Sequence, residues 1–329
     1  MTESMAHPYE ALTPDLVLDA VESGGYVSDA RILALNSYEN RVYQVGIEDE
    51  QPLIAKFYRP ERWSNAQIQE EHDFTQALLE LEVSVVPPLP DGQGKTLREY
   101  AGFRFALYPR QGGHAPNLDD FDQLLSLGRV LGRMHALGRV QPFSERPDLS
   151  IQSYARESYD FLLSSGFIPS SLEQSYSTLG ADLIDALETA FAHTDYTPIR
   201  LHGDCHPGNI LWRGDAPHFV DFDDARNGPA IQDLWMLLSG EREQQTAQIA
   251  EVLEGYQEFC DFNFAELKLI EALRSLRIMH YSAWLARRWS DPAFPKSFPW
   301  FNTERYWGEH ILELREQLAA LQEPPLAIF

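Results

Sequence analysis

Five oxygen-bearing side chains crowd two short stretches of this chain. LHGDCHPGNILW runs from Leu201 to Trp212, HFVDFDDA runs from His218 to Ala225, and between them they carry Asp204, Asn209, Asp221, Asp223 and Asp224. The first stretch holds two glycines and a proline and ends in an apolar run. The second reads as a short strand, Phe219-Val220, that delivers acids at its end. Carboxylates packed this densely repel one another unless positive charge lies among them, and hard oxygen donors suit Mg2+. Two blander accounts compete. Asp and Asn serve turns, but turn chemistry explains neither the spacing nor the two-part arrangement. His202, Asp204, His206 and His218 offer the ligands of a zinc hydrolase, an account that leaves Asn209 and the N-terminal features below without a role.

The spacing narrows the chemistry. Four residues separate Asp204 from Asn209, the D-x-x-x-x-N spacing of the protein-kinase catalytic loop. Asp221-Phe222-Asp223 stands where those enzymes carry a metal-binding D-F-G, with Asp in place of Gly, and Gly203 rather than Arg precedes Asp204. In this form, H-G-D-x-H-x-x-N followed by V-D-F-x-D-A, the chain resembles the aminoglycoside phosphotransferase and choline kinase branch of the kinase-like fold.

Elements that would position these groups are legible upstream. Residues 12–24 read as an amphipathic helix with Thr13 as N-cap, Pro14 at the first position and Gly24-Gly25 at the end. Strand-like runs follow at Arg31–Leu35, Arg41–Ile47 and Pro52–Tyr58, an antiparallel meander. The first turn, NSYEN (Asn36 to Asn40), has no glycine. Its Ser37 offers a hydroxyl and an N–H to a phosphate, or else closes an ordinary hairpin. The third run carries Lys56 inside LIAKFY, where a cation is costly without an anionic partner. The alternative is a lysine snorkelling from an edge strand. In kinases the matching lysine binds the α/β-phosphates and pairs with a glutamate on the next helix. That helix reads as Asn65–Leu81, and Ile68, Glu71, Thr75 and Leu78 share a face, which favours Glu71 over Glu70.

Another hairpin is expected around Gly92–Lys95, then a strand, Phe103–Tyr108, leading into PRQGG. A strand ending in a Pro/Gly segment suits a hinge, where the Pro109 carbonyl and the Arg110 N–H match adenine's donor and acceptor edge. A plain linker fits the same residues. Beyond it the sequence turns helical: Asp119–Leu137, a segment including Leu183–Phe191, Ile231–Leu238, 244–260, 265–289 and 303–322, with a Pro/aromatic loop at Asp291–Phe301. His135 reads as a hydrogen-bonded core residue and Cys205 as a buried small residue rather than a redox-sensitive thiol, and the resemblance to that branch implies that Asp233 braces the catalytic loop.

Taken together, LNSYENRVYQ, KFYRPERW, EEHDF, LHGDCHPGNILWR, VDFDDARNGPAIQDLWMLLSG and DPAFPKSFPW resemble a bacterial family of stress-response kinases within that branch, over about residues 12–325. The resemblance implies an α+β, bilobal protein-kinase-like fold. Residues 1–109 would form an N-terminal ATP-binding lobe of antiparallel sheet plus helix, and residues 110–329 a mainly helical catalytic lobe. It implies an ATP- and Mg2+-dependent serine/threonine protein kinase that also phosphorylates itself. Asp204 would be the base, Asn209 and Asp221 would hold Mg2+, Lys56 and Glu71 would place the phosphates, and Ser37 would lie near ATP. The acceptor rests on the resemblance alone, so a small-molecule kinase of aminoglycoside, homoserine or choline type stays open. A nucleotide-binding pseudokinase is disfavoured by the intact Lys56, Asp204, Asn209 and Asp221.

Composition sets the outer bounds. The chain has 329 residues, 44% hydrophobic and 23% charged, with a net charge of −24. That charge argues against nucleic acid and anionic membrane surfaces as main partners and fits either a cationic partner or plain solubility. No apolar run approaches a membrane span, no signal pattern opens the chain, and two cysteines make no disulfide framework. A cytoplasmic monomer is expected.

Overall fold

The computed structural model describes residues 9–328. In chain order its helices are α1 Pro14–Glu22, α2 Asn65–Glu80, α3 Phe121–Gly138, α4 Glu157–Ser165, α5 Ser170–Ala192, α6 Ile231–Trp235, α7 Arg242–Gln257, α8 Ile270–Arg287, α9 Ala293–Ser297 and α10 Glu304–Ala320. Its strands are β1 Ser28–Ala34, β2 Arg41–Ile47, β3 Leu53–Phe57, β4 Arg98–Tyr100, β5 Phe103–Pro109, β6 Ile199–Leu201, β7 Ile210–Arg213, β8 Ala216–Phe219 and β9 Arg226–Gly228. Two compact units result. The first holds the described residues up to Pro116 together with Phe143–Arg146 and His206–Ala225. The second holds Asn117–Pro142, Pro147–Cys205 and the described residues from Arg226 onward. The chain thus passes from one unit to the other inside the loop, between Cys205 and His206.

The first unit is built on an antiparallel five-stranded sheet of order β1-β2-β3-β5-β4. Side chains alternate across it. Leu53, Ala55 and Phe57 of β3 and Phe103, Phe105 and Leu107 of β5 face one side, where Val17, Ala20 and Val21 of α1 cover them. Each large apolar side chain buried this way contributes about 1.5–3 kcal/mol. Lys56 therefore projects to the other face, with Tyr58, Ala106 and Tyr108, against Ile68 of α2. Thr13 caps α1, its side chain accepting from the Leu16 N–H at 3.3 Å. Ser64 and Gln67 close a capping box on α2. β1 starts earlier than the apolar pattern indicates, because it pairs across a bulge at Ala30, whose φ is 62°. The hairpin expected around Gly92–Lys95 is displaced. There Asp91 Oδ1 folds the loop by accepting from Gln93 and Lys95, while β4 and β5 are joined at Ala101-Gly102, both with positive φ.

The second unit is helical apart from the short β6–β9 pair. α3 lies directly on α7, because glycines meet backbone. A Cβ on Gly128 would stand 2.0 Å from the Val252 carbonyl oxygen, and one on Gly132 2.4 Å from that of Tyr256. α5 packs on α10 and α4 on α8. α5 extends well N-terminal of the apolar stretch that betrays it, and the expected loop at Asp291–Phe301 contains the short helix α9. No helix among the described residues is long and apolar enough to cross a membrane.

Candidate active site

In the first unit, β7 and β8 form a hairpin that sets Asn209 beside Asp221. Ile210 pairs with Phe219, and the Val220 N–H donates to the Asn209 carbonyl at 3.0 Å. His206 caps the turn before β7, its Nδ1 accepting from the Gly208 N–H at 3.0 Å. Asp221 then adopts left-handed backbone, φ 60° and ψ 64°, a conformation that costs an L-residue about 1–2 kcal/mol and that Asp tolerates better than most. The reversal separates the acids. Asp221 is 53% exposed at its side chain, whereas Asp223 is 5% exposed and turned inward.

Cations from the sheet side meet both acids. Lys56 Nζ lies 2.8 Å from Asp221 Oδ1 and 3.3 Å from Asp223 Oδ1. The Arg62 guanidinium binds Asp223 and also Asp224, the latter at 2.8 Å. Burial works against charge on Asp223, but Arg62 and Lys56 overcome it and hold the carboxyl below its usual range. Burial likewise opposes the Lys56 ammonium, which Asp221 and Asp223 keep well above the ordinary lysine range. Asp223 is thus an internal counter-charge, and Asp221 is the acid presented outward.

The two glutamates of α2 divide their work. Glu70 accepts from the backbone N–H groups of Ser144, Glu145 and Arg146 at 2.6, 2.9 and 2.8 Å, anchoring that segment. Glu71 is buried, 3.7 Å from the Arg146 guanidinium, which in turn donates to the Asp223 and Ala225 carbonyls at 2.7 and 3.2 Å. Burial pushes the Glu71 carboxyl up to about 7, against the pull of Lys56 and Arg146. Lys56 sits on the acids rather than on Glu71. Ser37 donates its hydroxyl to the Asn40 carbonyl at 3.1 Å, closing the β1–β2 turn that Arg59 also braces through the Glu39 carbonyl at 3.0 Å. Pro109 ends β5, and Arg110 donates to Gln44 at 2.8 Å, so the side chain of Arg110 is used by the sheet.

The second unit carries Asp204 on a braced turn. Asp233, wholly buried at the start of α6, accepts from the backbone N–H groups of His202 and Gly203, each at 2.8 Å, and from His135 Nε2 at 3.0 Å. Burial raises a carboxyl's pKa, yet these donors hold Asp233 below the usual range. His135 Nε2 donates to the carboxylate, and its Nδ1 faces the Tyr256 hydroxyl at 3.0 Å. Gly203 has φ 87° and its carbonyl accepts from Gln232 at 3.0 Å, so glycine suits the position before Asp204. Arg277 of α8 forms an ion pair with Asp204. Cys205 is buried, and burial with the Asp233 and Asp204 charges pushes its thiol well up, which suits packing and not reactivity.

Asn209 and Asp221 carry hard oxygen donors of the kind that suit Mg2+. An exposed carboxylate beside an amide, backed by a lysine, fits that group. Zinc fits poorly. His202 Nδ1 and His206 Nδ1 already accept backbone N–H groups, and among the described residues no three His, Cys, Asp or Glu side chains are grouped to hold a metal. Arg62, Arg146 and Arg277 are participants that residue spacing did not single out. The motif KFYRPERW contained the first, but nothing local says that Arg62 reaches Asp223.

Fold and site together define a phosphotransferase of the kinase type. The chain belongs to the phosphotransferase enzyme family, whose match covers residues 31–270. It is 48% identical over 323 residues to stress response kinase A of Escherichia coli K12, covering 98% of each chain. A protein of Salmonella typhimurium LT2 named serine/threonine protein kinase RdoA is 46% identical over the same share of both chains. Among solved structures, amicoumacin kinase hAmiN in complex with AMP-PNP, Ca2+ and Ami has a TM-score of 0.71 at 20% identity, with 92% of each chain covered. The microcompartment-associated aminopropanol kinase has a TM-score of 0.71 at 18% identity, over 94% of this chain and 97% of that one.

Proposed function

We propose that the protein transfers the γ-phosphoryl group of ATP to serine or threonine hydroxyls of proteins, its own included, with Mg2+ as cofactor. The observation that carries this reading is the Lys56–Asp221 pair, 2.8 Å apart beside Asn209. A buried ammonium and an outward carboxylate held together in this way form a site that a nucleotide phosphate with its metal would open. Bound Mg2+ would supply positive charge to offset what develops on the leaving group. Asn209 and Asp221 would hold it. Lys56 would then exchange its carboxylate contact for phosphate oxygens, and Asp223, clamped by Arg62, stays as counter-charge.

The acceptor oxygen forms a bond to the γ-phosphorus, the bond to the β-phosphate oxygen breaks, ADP leaves, and the hydroxyl proton passes to Asp204 late in the transfer. The protein acceptor and the role in stress are supported by the names of the relatives. We extend both to this chain, acting as a cytoplasmic monomer. A second reading, a small-molecule kinase, is favoured by the acceptors named for the two solved neighbours. Incubation with γ-labelled ATP and Mg2+, with and without a generic protein acceptor, separates them. Label on the protein and acceptor supports the first, and ADP release only with an aminoglycoside or amino alcohol supports the second. Asp204→Ala should lower turnover by about 10²-fold or more while nucleotide still binds. Normal turnover in that variant would remove Asp204 from its role.

A further inference from the structure

Asp204 does not face open solvent alone. The Arg277 guanidinium, from the middle of α8, is ion-paired to its carboxylate, and both side chains are partly exposed, 42% for Arg277 and 23% for Asp204. An acceptor hydroxyl has to reach the same carboxylate that Arg277 holds. The surroundings continue the theme. One turn along α8, His280 lies on the Tyr154 ring with centroids 4.5 Å apart, and Tyr281 stacks on Trp284 at 5.7 Å. Tyr281 and Arg277 share one face of the helix by spacing, and Tyr281 is exposed. The only acid on α8, Glu271, is already bound to Arg274 at 3.1 Å. In a chain with net charge −24, the approach to the base along this helix is cationic and aromatic.

We propose that Arg277 is an acceptor-positioning and specificity-determining residue. It releases Asp204 to the incoming hydroxyl and takes instead an anionic oxygen of the acceptor, such as a flanking Asp or Glu side chain in a polypeptide. The aromatic shelf of Tyr281 and Trp284 carries the neighbouring apolar part of that segment. A cationic amine brought to Asp204 would meet a like charge, so the arrangement discriminates against aminoglycosides and amino alcohols. A guanidinium fork suits a carboxylate, and a lysine would keep the charge but lose the fork. The inference rests on the protein-kinase reading above and leaves the covalent step unchanged.

The test uses the full-length enzyme with two serine peptides of equal length, one flanked by Asp and one by Lys. Wild type should prefer the Asp-flanked peptide by about tenfold or more in kcat/KM. Arg277→Ala should bring the two within about threefold, mainly through the KM for the peptide, with the KM for ATP within about twofold of wild type. Arg277→Lys should restore part of the preference. Equal use of both peptides by wild type would overturn the inference. So would an unchanged preference in Arg277→Ala, or a parallel rise in its KM for ATP. In each of those cases peptide phosphorylation itself leaves the protein-kinase reading standing. Efficient phosphorylation of an amino alcohol or aminoglycoside with no peptide labelling would overturn both.

Discussion

Replacing Asp233 by Asn tests whether Asp204 is placed by a buried carboxylate rather than by the loop's own shape. Oδ2 accepts from the His202 N–H and from His135 Nε2, and Oδ1 accepts from the Gly203 N–H, all within 3.0 Å. An amide keeps one acceptor and turns the other into a donor. In its better orientation Asn keeps the His202 and His135 bonds and sets an NH2 against the Gly203 N–H. Hydrogen bonds to a charged group are worth about 1.5–3 kcal/mol, and an opposed buried donor adds about 1–3 kcal/mol. We expect a loss of about 3–5 kcal/mol of stability. Gly203 directly precedes Asp204, so relief of the clash should move Asp204 by about 1 Å and, on the proposed role of that residue, cost about 10²-fold in kcat. Urea unfolding and saturating-ATP turnover, run on Asp233→Asn beside Asp204→Ala, check both numbers. The first variant should be unstable and slow, the second stable and inactive. A change under about 1 kcal/mol with full turnover would refute the bracing argument.

Two further outcomes follow from buried charge. Arg62→Ala should destabilise the first unit by about 3–5 kcal/mol, because Asp223 is then left buried with Lys56 as its closest cation, and Arg62→Lys should recover only part of the loss; thermal melts with and without ATP and Mg2+ read this. His310, packed against Tyr176, Tyr306 and Trp307, is held by burial down at about 4. Between about pH 4 and 6.5 the unfolded chain therefore binds a proton that the folded chain does not. Its contribution is fully present above pH 6.5 and is lost as pH falls toward 4, up to about 3 kcal/mol. His310→Gln should flatten that part of the stability profile, measured by urea midpoints at several pH values.

What the sequence showed depended on whether a feature was local. Asp204 and Asn209 are fixed by a loop, and Lys56 by alternation along one strand, so spacing alone singled them out. The capped helices α1 and α2 were legible for the same reason. The hairpin placed around Gly92–Lys95 failed because Asp91 makes a side-chain-closed loop from the same turn-forming residues. α5 runs N-terminal of its apolar stretch because its first turns, polar in sequence, pack on α10 and on Tyr159 of α4, both outside the local pattern. The Glu70 and Glu71 assignment came from helical phase, and phase also explains the outcome. Glu71 lies on the buried face with Ile68 and Leu78, while Glu70, one residue out of phase, reaches Ser144–Arg146.

The acids of the second motif show where such reading stops. Asp221, Asp223 and Asp224 are three carboxylates within four residues, and nothing local ranks them. Their separation is a consequence of long-range charge. Arg62 arrives from beyond β3 and Arg146 from the segment that Glu70 anchors, and both commit Asp223 to the interior. The left-handed turn at Asp221 then sends its carboxylate outward, where Lys56 holds it. One acid is stabilised in place and the other is left available by the same two arginines. Which of these carboxylates is left outward is therefore defined less by its own position in the motif than by which neighbour the arginines have already taken.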